Sequence, residues 1–226
     1  NRPRAKKGYR NSRAWSSIDY LQPVTTSALP PVPAQSLASP RDADALQRLA
    51  AQARADLERL NYPPPDWMPT PVDGAPLDVL VVGAGMCGQT AAFALLREGV
   101  RRLRVIDAAA RGDEGPWATY ARMLTLRSPK QLTGPDLGVP SLTFRAWYEA
   151  QHGTGDTSPL DAATPGWAAL HKIGRVDWRD YLLWVRDTAQ VPVENSVRLL
   201  SVRDEDGLVV AELQGPQGNE TVRTRK

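Results

Sequence analysis

The chain has 226 residues, of which 42% are hydrophobic and 23% are charged, and its formal net charge is +3, as is ordinary for a soluble globular protein. A single cysteine excludes an internal disulfide, and no apolar run reaches the roughly 18 residues that a membrane-spanning helix requires. We therefore expect a cytoplasmic protein with no membrane partner.

The first 38 residues show no periodic pattern. Six of the first thirteen are Lys or Arg and none is acidic, and four prolines then favour extended backbone: Pro23, Pro30, Pro31 and Pro33. A basic run can contact nucleic acid or an anionic surface, but no nucleic-acid-binding motif accompanies this one. We predict a disordered, solvated tail over residues 1–38 and no nucleic-acid partner.

A helix is predicted over residues 39–61. Ser39 suits the N-cap position and Pro40 the first helical position. An apolar stripe at helical spacing contains Leu46, Leu49, Ala53, Leu57 and Leu60. We expect this stripe to pack on the parent domain, with binding to a partner protein as the alternative. The proline-rich residues 62–76 are expected to form a semi-rigid connector.

The main domain is predicted over residues 77–226 and begins with a strand, a glycine loop and a helix. The apolar strand 78–82 runs directly into the sequence G-A-G-M-C-G at residues 83–88. In dinucleotide-binding domains the first glycine permits a tight turn, the second lets a pyrophosphate approach the backbone, and the third lets the helix pack closely. The helix N-terminus offers N–H groups to the phosphates. The predicted cofactor-binding residues here are Gly83, Ala84, Gly85, Met86 and Gly88.

The helix after the loop is predicted to bury one face of small and apolar residues and to end at Gly99. Its buried positions are expected to be Gly88, Ala91, Ala92, Leu95 and Leu96, with Gln89, Arg97 and Glu98 on the outer face. The next strand, 103–106, ends at Asp107, which follows Gly83 by 24 residues. Such domains place there the acid that binds the ribose hydroxyls, and an acid favours an unphosphorylated ribose, as in FAD or NAD.

The rest of the domain is predicted to be irregular at first and then regular. Residues 108–176 lack clear periodicity and are expected to cover a ligand. A helix is predicted over 177–190, capped by Asp177, with a buried face of Trp178, Tyr181, Leu182, Val185 and Ala189. Strands over 197–202, 208–213 and 220–225 follow, separated by glycine-containing turns, and the last two belong to a β-meander. In the parallel sheet we expect the order 197–202, 103–107, 78–82, with the position beyond 78–82 vacant.

This order of elements resembles the FAD domain of two-dinucleotide-binding flavoproteins. The segment Glu114-Gly115-Pro116-Trp117 is similar to the G-G-x-W segment of flavin-containing and Baeyer–Villiger monooxygenases. A further stretch of the flavin-containing monooxygenases aligns with Tyr120, Leu124, Ser128, Lys130 and Pro140. The asparagine that the family carries near the flavin is replaced by Arg127 or a close neighbour, and Pro129 interrupts the Ser-Lys pair. The resemblance implies an α/β fold: a Rossmann-like, glutathione-reductase-type parallel sheet with a β-meander.

The resemblance also implies an FAD-dependent oxidoreductase in which NADPH reduces the flavin and oxygen passes to a small-molecule substrate. A dehydrogenase or oxidase, and a non-catalytic dinucleotide-binding module, are the alternatives. Implied cofactor contacts are Asp107 and Ala108 at the adenosine, Trp117 and Arg127 near the flavin, and the backbone of Leu199 at the adenine. Trp117 also suits a hydrophobic plug, Arg127 a surface charge and Leu199 core packing.

No catalytic residue is assigned, because in the resembled flavoproteins the cofactor carries the chemistry. No metal site is proposed, because His152 and His171 are far apart and have no Cys or carboxylate at metal-ligand spacing. The A-T-G strand and the second glycine motif, which binds NADPH in the resembled family, are not found in these 226 residues. We therefore expect the N-terminal portion of a longer flavoprotein, truncated at the C-terminus, with an incomplete FAD-binding domain. Residues 1–226 alone are expected to bind FAD weakly.

Overall fold

The computed structural model describes residues 43–65, 74–132, 134–152 and 166–226. The basic tail, the Ser39 cap and the middle of the proline-rich connector lie outside the described residues. Among the helices that are described, none has the length and apolar character needed to cross a membrane.

Three short strands form a parallel sheet with β2 at its centre. They are β1 (Val79–Val82), β2 (Leu103–Asp107) and β3 (Val193–Asn195), in the order β1-β2-β3. Val79 pairs with Leu103, and Val105 pairs with Val193. Four of the five residues of β2 are buried, because helices cover one face of the sheet and an antiparallel sheet covers the other.

The third strand of this sheet is not the one predicted. Residues 197–202 were expected beside β2, but Val193–Asn195 occupies that place and 197–202 belongs to the antiparallel sheet. Three residues are too few to show strand periodicity in a sequence. Ser196 then adopts a left-handed φ of 60° and turns the chain out of the parallel sheet.

The β-meander is confirmed as a separate antiparallel sheet of β4 (Arg198–Glu205), β5 (Leu208–Gly215) and β6 (Gly218–Thr224). Its apolar face packs against Ile106 of β2.

The outer edge of β1 is partly covered, although we predicted a vacant position there. The backbone N–H of Lys226 donates to the carbonyl of Asp78 at 3.2 Å, and the N–H of Leu80 donates to the carbonyl of Lys226 at 3.0 Å. These bonds satisfy polar backbone groups that an open strand edge leaves without protein partners. Val82, farther along the same strand, is 52% exposed.

Helix α2 (Met86–Arg97) joins β1 to β2 and ends before Gly99, whose φ is 83°. Its buried face is rotated from the predicted one, since Ala91 is exposed and Gln89 is buried. The expectation of an outward Gln89 was wrong for a physical reason: its side-chain amide donates a 2.7 Å hydrogen bond to the Ala84 carbonyl, and a buried polar group with a partner is tolerated.

The segment after β2 is more regular than predicted. It contains a 3-10 turn, Pro140–Leu142, and helix α3, Phe144–His152. The Thr143 hydroxyl caps α3 by accepting a 3.2 Å hydrogen bond from the Ala146 N–H. Three aromatic residues at spacing i, i+3, i+4 form the buried face of α3: Phe144, Trp147 and Tyr148. The Thr143 cap and the aromatic spacing both indicate a helix in the sequence, although we predicted no regular structure here.

Helix α4 (Arg175–Thr188) begins two residues before the predicted start, so Asp177 lies in its first turn rather than at the cap. The predicted buried face is confirmed, because all five residues named for it are buried. This face joins α3 in an aromatic core that also includes Leu126 and Ile173.

Helix α1 (Ala43–Arg59) packs on the domain, as expected of its apolar stripe. Ala53 and Leu57 are buried in the same cluster as Phe93 of α2. The Asp56 carboxylate accepts a 2.7 Å hydrogen bond from the Ser141 hydroxyl. These contacts favour the structural reading of the stripe over a partner-binding helix.

We expect Leu57→Ala to lower the free energy of unfolding by about 2–4 kcal/mol, because Leu57 is 3% exposed and its truncation opens a cavity. Leu60→Ala is the control on the same stripe: Leu60 is 52% exposed, and its truncation should cost less than about 0.5 kcal/mol. Urea unfolding followed by tryptophan fluorescence compares the two. Equal losses would contradict the docking of α1.

Candidate functional site

The glycine loop, residues 83–88, lies at the carboxyl end of β1, where open parallel sheets bind their ligands. Gly83 has a φ of 96°, and its N–H donates a 2.8 Å hydrogen bond to the carbonyl of Ile106 in β2. A Cβ at Gly88 would lie 1.7 Å from the Gly83 carbonyl oxygen. Only glycine fits the turn without strain and the close helix packing, so two of the three roles expected of the glycines are visible.

Gly85 has a different reason to be glycine. Its φ is −64°, and a Cβ there would lie 3.6 Å from the Cα of Gly115, an ordinary contact. Neither the backbone nor the protein packing therefore requires glycine at this position. The expected approach of a pyrophosphate to the backbone accounts for a glycine here that the protein's own packing does not require.

Asp107 ends β2 beside this loop and is 9% exposed. Its Oδ2 accepts a 2.6 Å hydrogen bond from the Ala84 N–H, and its Oδ1 accepts one of 2.7 Å from the Ala109 N–H. The carboxylate is thus held by two backbone donors rather than simply solvated. Each oxygen has a second lone pair, so the group retains the capacity to accept from a ribose hydroxyl.

The segment Glu114 to Trp117 crosses close to the glycine loop. Gly115 has a φ of 70°, and a Cβ there would lie 3.7 Å from the Cα of Gly85. The fold therefore places the segment similar to G-G-x-W directly beside the predicted pyrophosphate-binding loop.

The indole N–H of Trp117 is a buried hydrogen-bond donor. Its Nε1 is buried, has no hydrogen-bond partner among the described residues, and lies 3.6 Å from where a Gly115 Cβ would be. Its ring meets the Trp178 ring edge-on, with the centroids 6.5 Å apart. An unsatisfied buried donor is costly, and this one lies beside Gly115, which contacts Gly85 at the start of α2. Trp117 thus packs against the aromatic core, the plug role weighed for it, and places its indole N–H close to the glycine loop.

A buried ionic group that sequence reasoning missed lies behind this segment. The side chains of Glu114 and Arg186 are 3% and 7% exposed and form an ion pair of 2.7 Å. Asn195 donates to the same Glu114 oxygen at 2.6 Å and accepts from Arg186 at 3.0 Å. Burial lowers the pKa of the Arg186 guanidinium while Glu114 opposes that shift, and an arginine stays charged. We call these three residues the triad; the one sequence signal for it is Glu114, which stands where the G-G-x-W pattern has glycine.

The remaining predicted residues are not all brought to the loop. Ala108 is exposed beside Asp107, and Met86 packs against the aromatic core. Leu199 packs with Ile106, which is the core role weighed for it. Arg127 is exposed, in a segment whose backbone bonds to Ile173 rather than to the glycine loop. Within the described ranges there is no group of three metal-ligating side chains.

Alanine substitutions at Gly88 and Gly85 should lower the free energy of unfolding by different amounts. Gly88→Ala should lower the free energy of unfolding by about 1–3 kcal/mol or more, because its Cβ overlaps the Gly83 carbonyl. Gly85→Ala should cost about 1 kcal/mol or less, the range of an altered N-cap, because its Cβ has room. Thermal unfolding of the two variants measures this order, and the reverse order would refute the assigned packing roles.

Comparison with known proteins finds a matching family profile and a similar curated protein. A family profile described as FAD-NAD(P)-binding matches residues 80–224. The FAD-dependent urate hydroxylase of Xanthomonas campestris pv. campestris is 48% identical over 162 residues, which are 71% of this chain and 32% of the relative. The chain therefore spans about a third of the length of that curated relative.

Solved structures resemble the fold over two thirds of this chain. The bacillithiol disulfide reductase of Bacillus cereus has 19% identity and a TM-score of 0.46, covering 67% of this chain and 38% of its own. The flavin-containing monooxygenase of Stenotrophomonas maltophilia has 21% identity and a TM-score of 0.43, covering 66% and 36%. Likenesses of this size carry no argument about function. Because the family profile covers more than half of the residues and includes the glycine loop, Asp107 and Trp117, the chain belongs to the FAD-NAD(P)-binding family.

Proposed function

We propose that this chain forms the FAD-binding part of an NADPH-dependent flavin hydroxylase. One observation carries the cofactor assignment. Three features lie around the same glycine loop: the N-terminus of α2 at Gly85, the anchored carboxylate of Asp107, and the N–H of Trp117, which has no partner among the described residues. Each suits a different part of a dinucleotide, and together they fit FAD.

In this proposal the backbone of the glycine loop binds the pyrophosphate, helped by the partial positive charge of the α2 N-terminus. Asp107 binds the adenosine ribose, and Ala108 lies beside the adenine. Trp117 donates its N–H to an oxygen of the cofactor, and the aromatic core behind it keeps water from that side. When bound, the flavin supplies hydride acceptance from NADPH and the activation of dioxygen. The chain itself binds, orients and shields the cofactor.

The hydroxylase activity is inferred from the urate hydroxylase relative, whose identity of 48% extends over 162 residues. We therefore propose a small-molecule substrate and take urate as the first candidate. NADPH is assigned as the reductant, with its site outside these residues.

Trp117→Phe is expected to weaken FAD binding about tenfold, because it keeps an aromatic ring but removes a donor to a charged or strongly polar oxygen. Trp184→Phe is the matched control, since Trp184 also carries a buried Nε1 without a partner among the described residues but lies on α4 in the aromatic core. Quenching of flavin fluorescence gives both dissociation constants. Equal effects of the two substitutions would refute a cofactor contact for Trp117.

The whole protein is expected to consume NADPH and oxygen and to convert urate into an oxygenated product, while residues 1–226 alone are expected to show no turnover. Product analysis by mass spectrometry with ¹⁸O₂ decides the reaction. NADPH consumption that yields only hydrogen peroxide would favour an oxidase. Bound FAD that no nicotinamide nucleotide reduces would favour a non-catalytic module, and a colourless protein without flavin absorbance would refute the proposed function.

A further inference from the structure

The triad joins three elements that surround the cofactor site. Arg186 comes from α4, Asn195 ends β3, and Glu114 belongs to the segment that crosses the glycine loop. We propose that the triad is the positioning element of this site: it holds residues 108–117 against the glycine loop and thereby sets the affinity for FAD without contacting the cofactor. This inference rests on the proposed FAD-binding function.

The hydrogen bonds of the triad reach the segment at several points. The side-chain amide of Asn195 donates to the Ala109 carbonyl at 3.1 Å, two residues after Asp107. The second carboxylate oxygen of Glu114 accepts from the Gly112 N–H at 2.7 Å. Glu114 itself lies three residues before Trp117. The triad therefore anchors the path between the two side chains that we assign to the two ends of the cofactor.

This path needs an external anchor because of its own composition. Residues 108–117 form no helix or strand, and Gly112 and Gly115 have φ values of 94° and 70°. Ordering such a glycine-containing segment costs conformational entropy. If the segment were ordered only when FAD binds, that cost would be subtracted from the binding free energy. The triad orders it in advance.

Stability alone does not explain the triad. Removing two charges from water is expensive, and a buried ion pair is often replaceable by apolar residues with no loss of stability. Here both terminal nitrogens of Arg186 are engaged: one donates to Glu114, and the other donates to the Val193 carbonyl at 2.8 Å, so the guanidinium joins α4, β3 and the segment. Such a group specifies one arrangement of the chain, which an apolar cluster of the same volume would not.

The structure supplies a matched control. Arg111 and Asp187 also connect this segment to α4, with an ion pair of 2.6 Å, but their side chains are 48% and 55% exposed. An exposed pair contributes little, because water competes for both charges. Replacing Arg111 and Asp187 removes the same number of charges, again from the segment and from α4, and leaves the triad intact.

The test compares the full chain with two double variants, Glu114→Met with Arg186→Met and Arg111→Met with Asp187→Met. For the triad variant we expect nearly unchanged thermal unfolding, a dissociation constant for FAD about tenfold higher or more, and faster hydrogen exchange at the amides of residues 112–115 and 117. The Arg111 and Asp187 variant should resemble the parent in all three measurements.

A third variant guards against misfolding. Asn195→Ala keeps the ion pair but removes the bond to Ala109. It should therefore give a smaller loss of FAD affinity and faster hydrogen exchange near Ala109. If the triad variant does not fold, the same measurements on Asn195→Ala test the inference. Unchanged exchange, or faster exchange with unchanged FAD affinity, would overturn the inference. All three variants are made in the whole protein, because residues 1–226 alone are expected to bind FAD weakly. A whole protein that does not bind FAD would refute the proposed function, while the exchange measurements would still decide whether the triad orders the segment.

Discussion

The buried ion pair between Glu114 and Arg186 is the interaction on which the candidate site depends. Both carboxylate oxygens and both terminal guanidinium nitrogens have hydrogen-bond partners, which is the condition under which two charges are tolerated inside a protein. Its partners come from a helix, a strand and an irregular segment, so it fixes the relation of all three. Without it, a glycine-containing path would have no buried side-chain anchor between Asp107 and Trp117 among the described contacts.

The site itself combines two kinds of glycine. Gly83 and Gly88 are explained by the protein alone, because one adopts a left-handed conformation and the other leaves no space for a Cβ. Gly85 has neither constraint, so the proposed cofactor gives the reason for glycine at this position. This division separates the glycines that build the turn from the one that we assign to the ligand. With Asp107 and Trp117 at its sides, the turn suits a cofactor that is long, anionic in the middle and aromatic at its ends.

Sequence reasoning succeeded where the signal was local and failed where it was short or polar. The strand, glycine loop and helix were predicted because their glycines and apolar residues stand within a few positions of one another. The buried face of α4 was predicted because five residues repeat at helical spacing. β3 was not predicted because three residues are too few to show periodicity. Gln89 was predicted on the outer face because polarity alone does not reveal that its side chain bonds to the Ala84 carbonyl. Helix α3 was not predicted, although the Thr143 cap and the i, i+3, i+4 spacing of its aromatic residues indicate a helix.

The sequence by itself determined the strand–glycine loop–helix unit, the acid at the end of the next strand and the family, because strand, turn and helix propensities act over a few neighbouring residues. The tertiary structure alone decided that Gly115 lies against Gly85 and that the Trp117 N–H has no partner among the residues that the structure describes. It also decided that Glu114 pairs with a charge 72 residues away and an amide 81 residues away. Contacts over such separations depend on how α4 and β3 pack against the sheet. No local sequence pattern predicts these long-range contacts, because they form only when the core packs and excludes water.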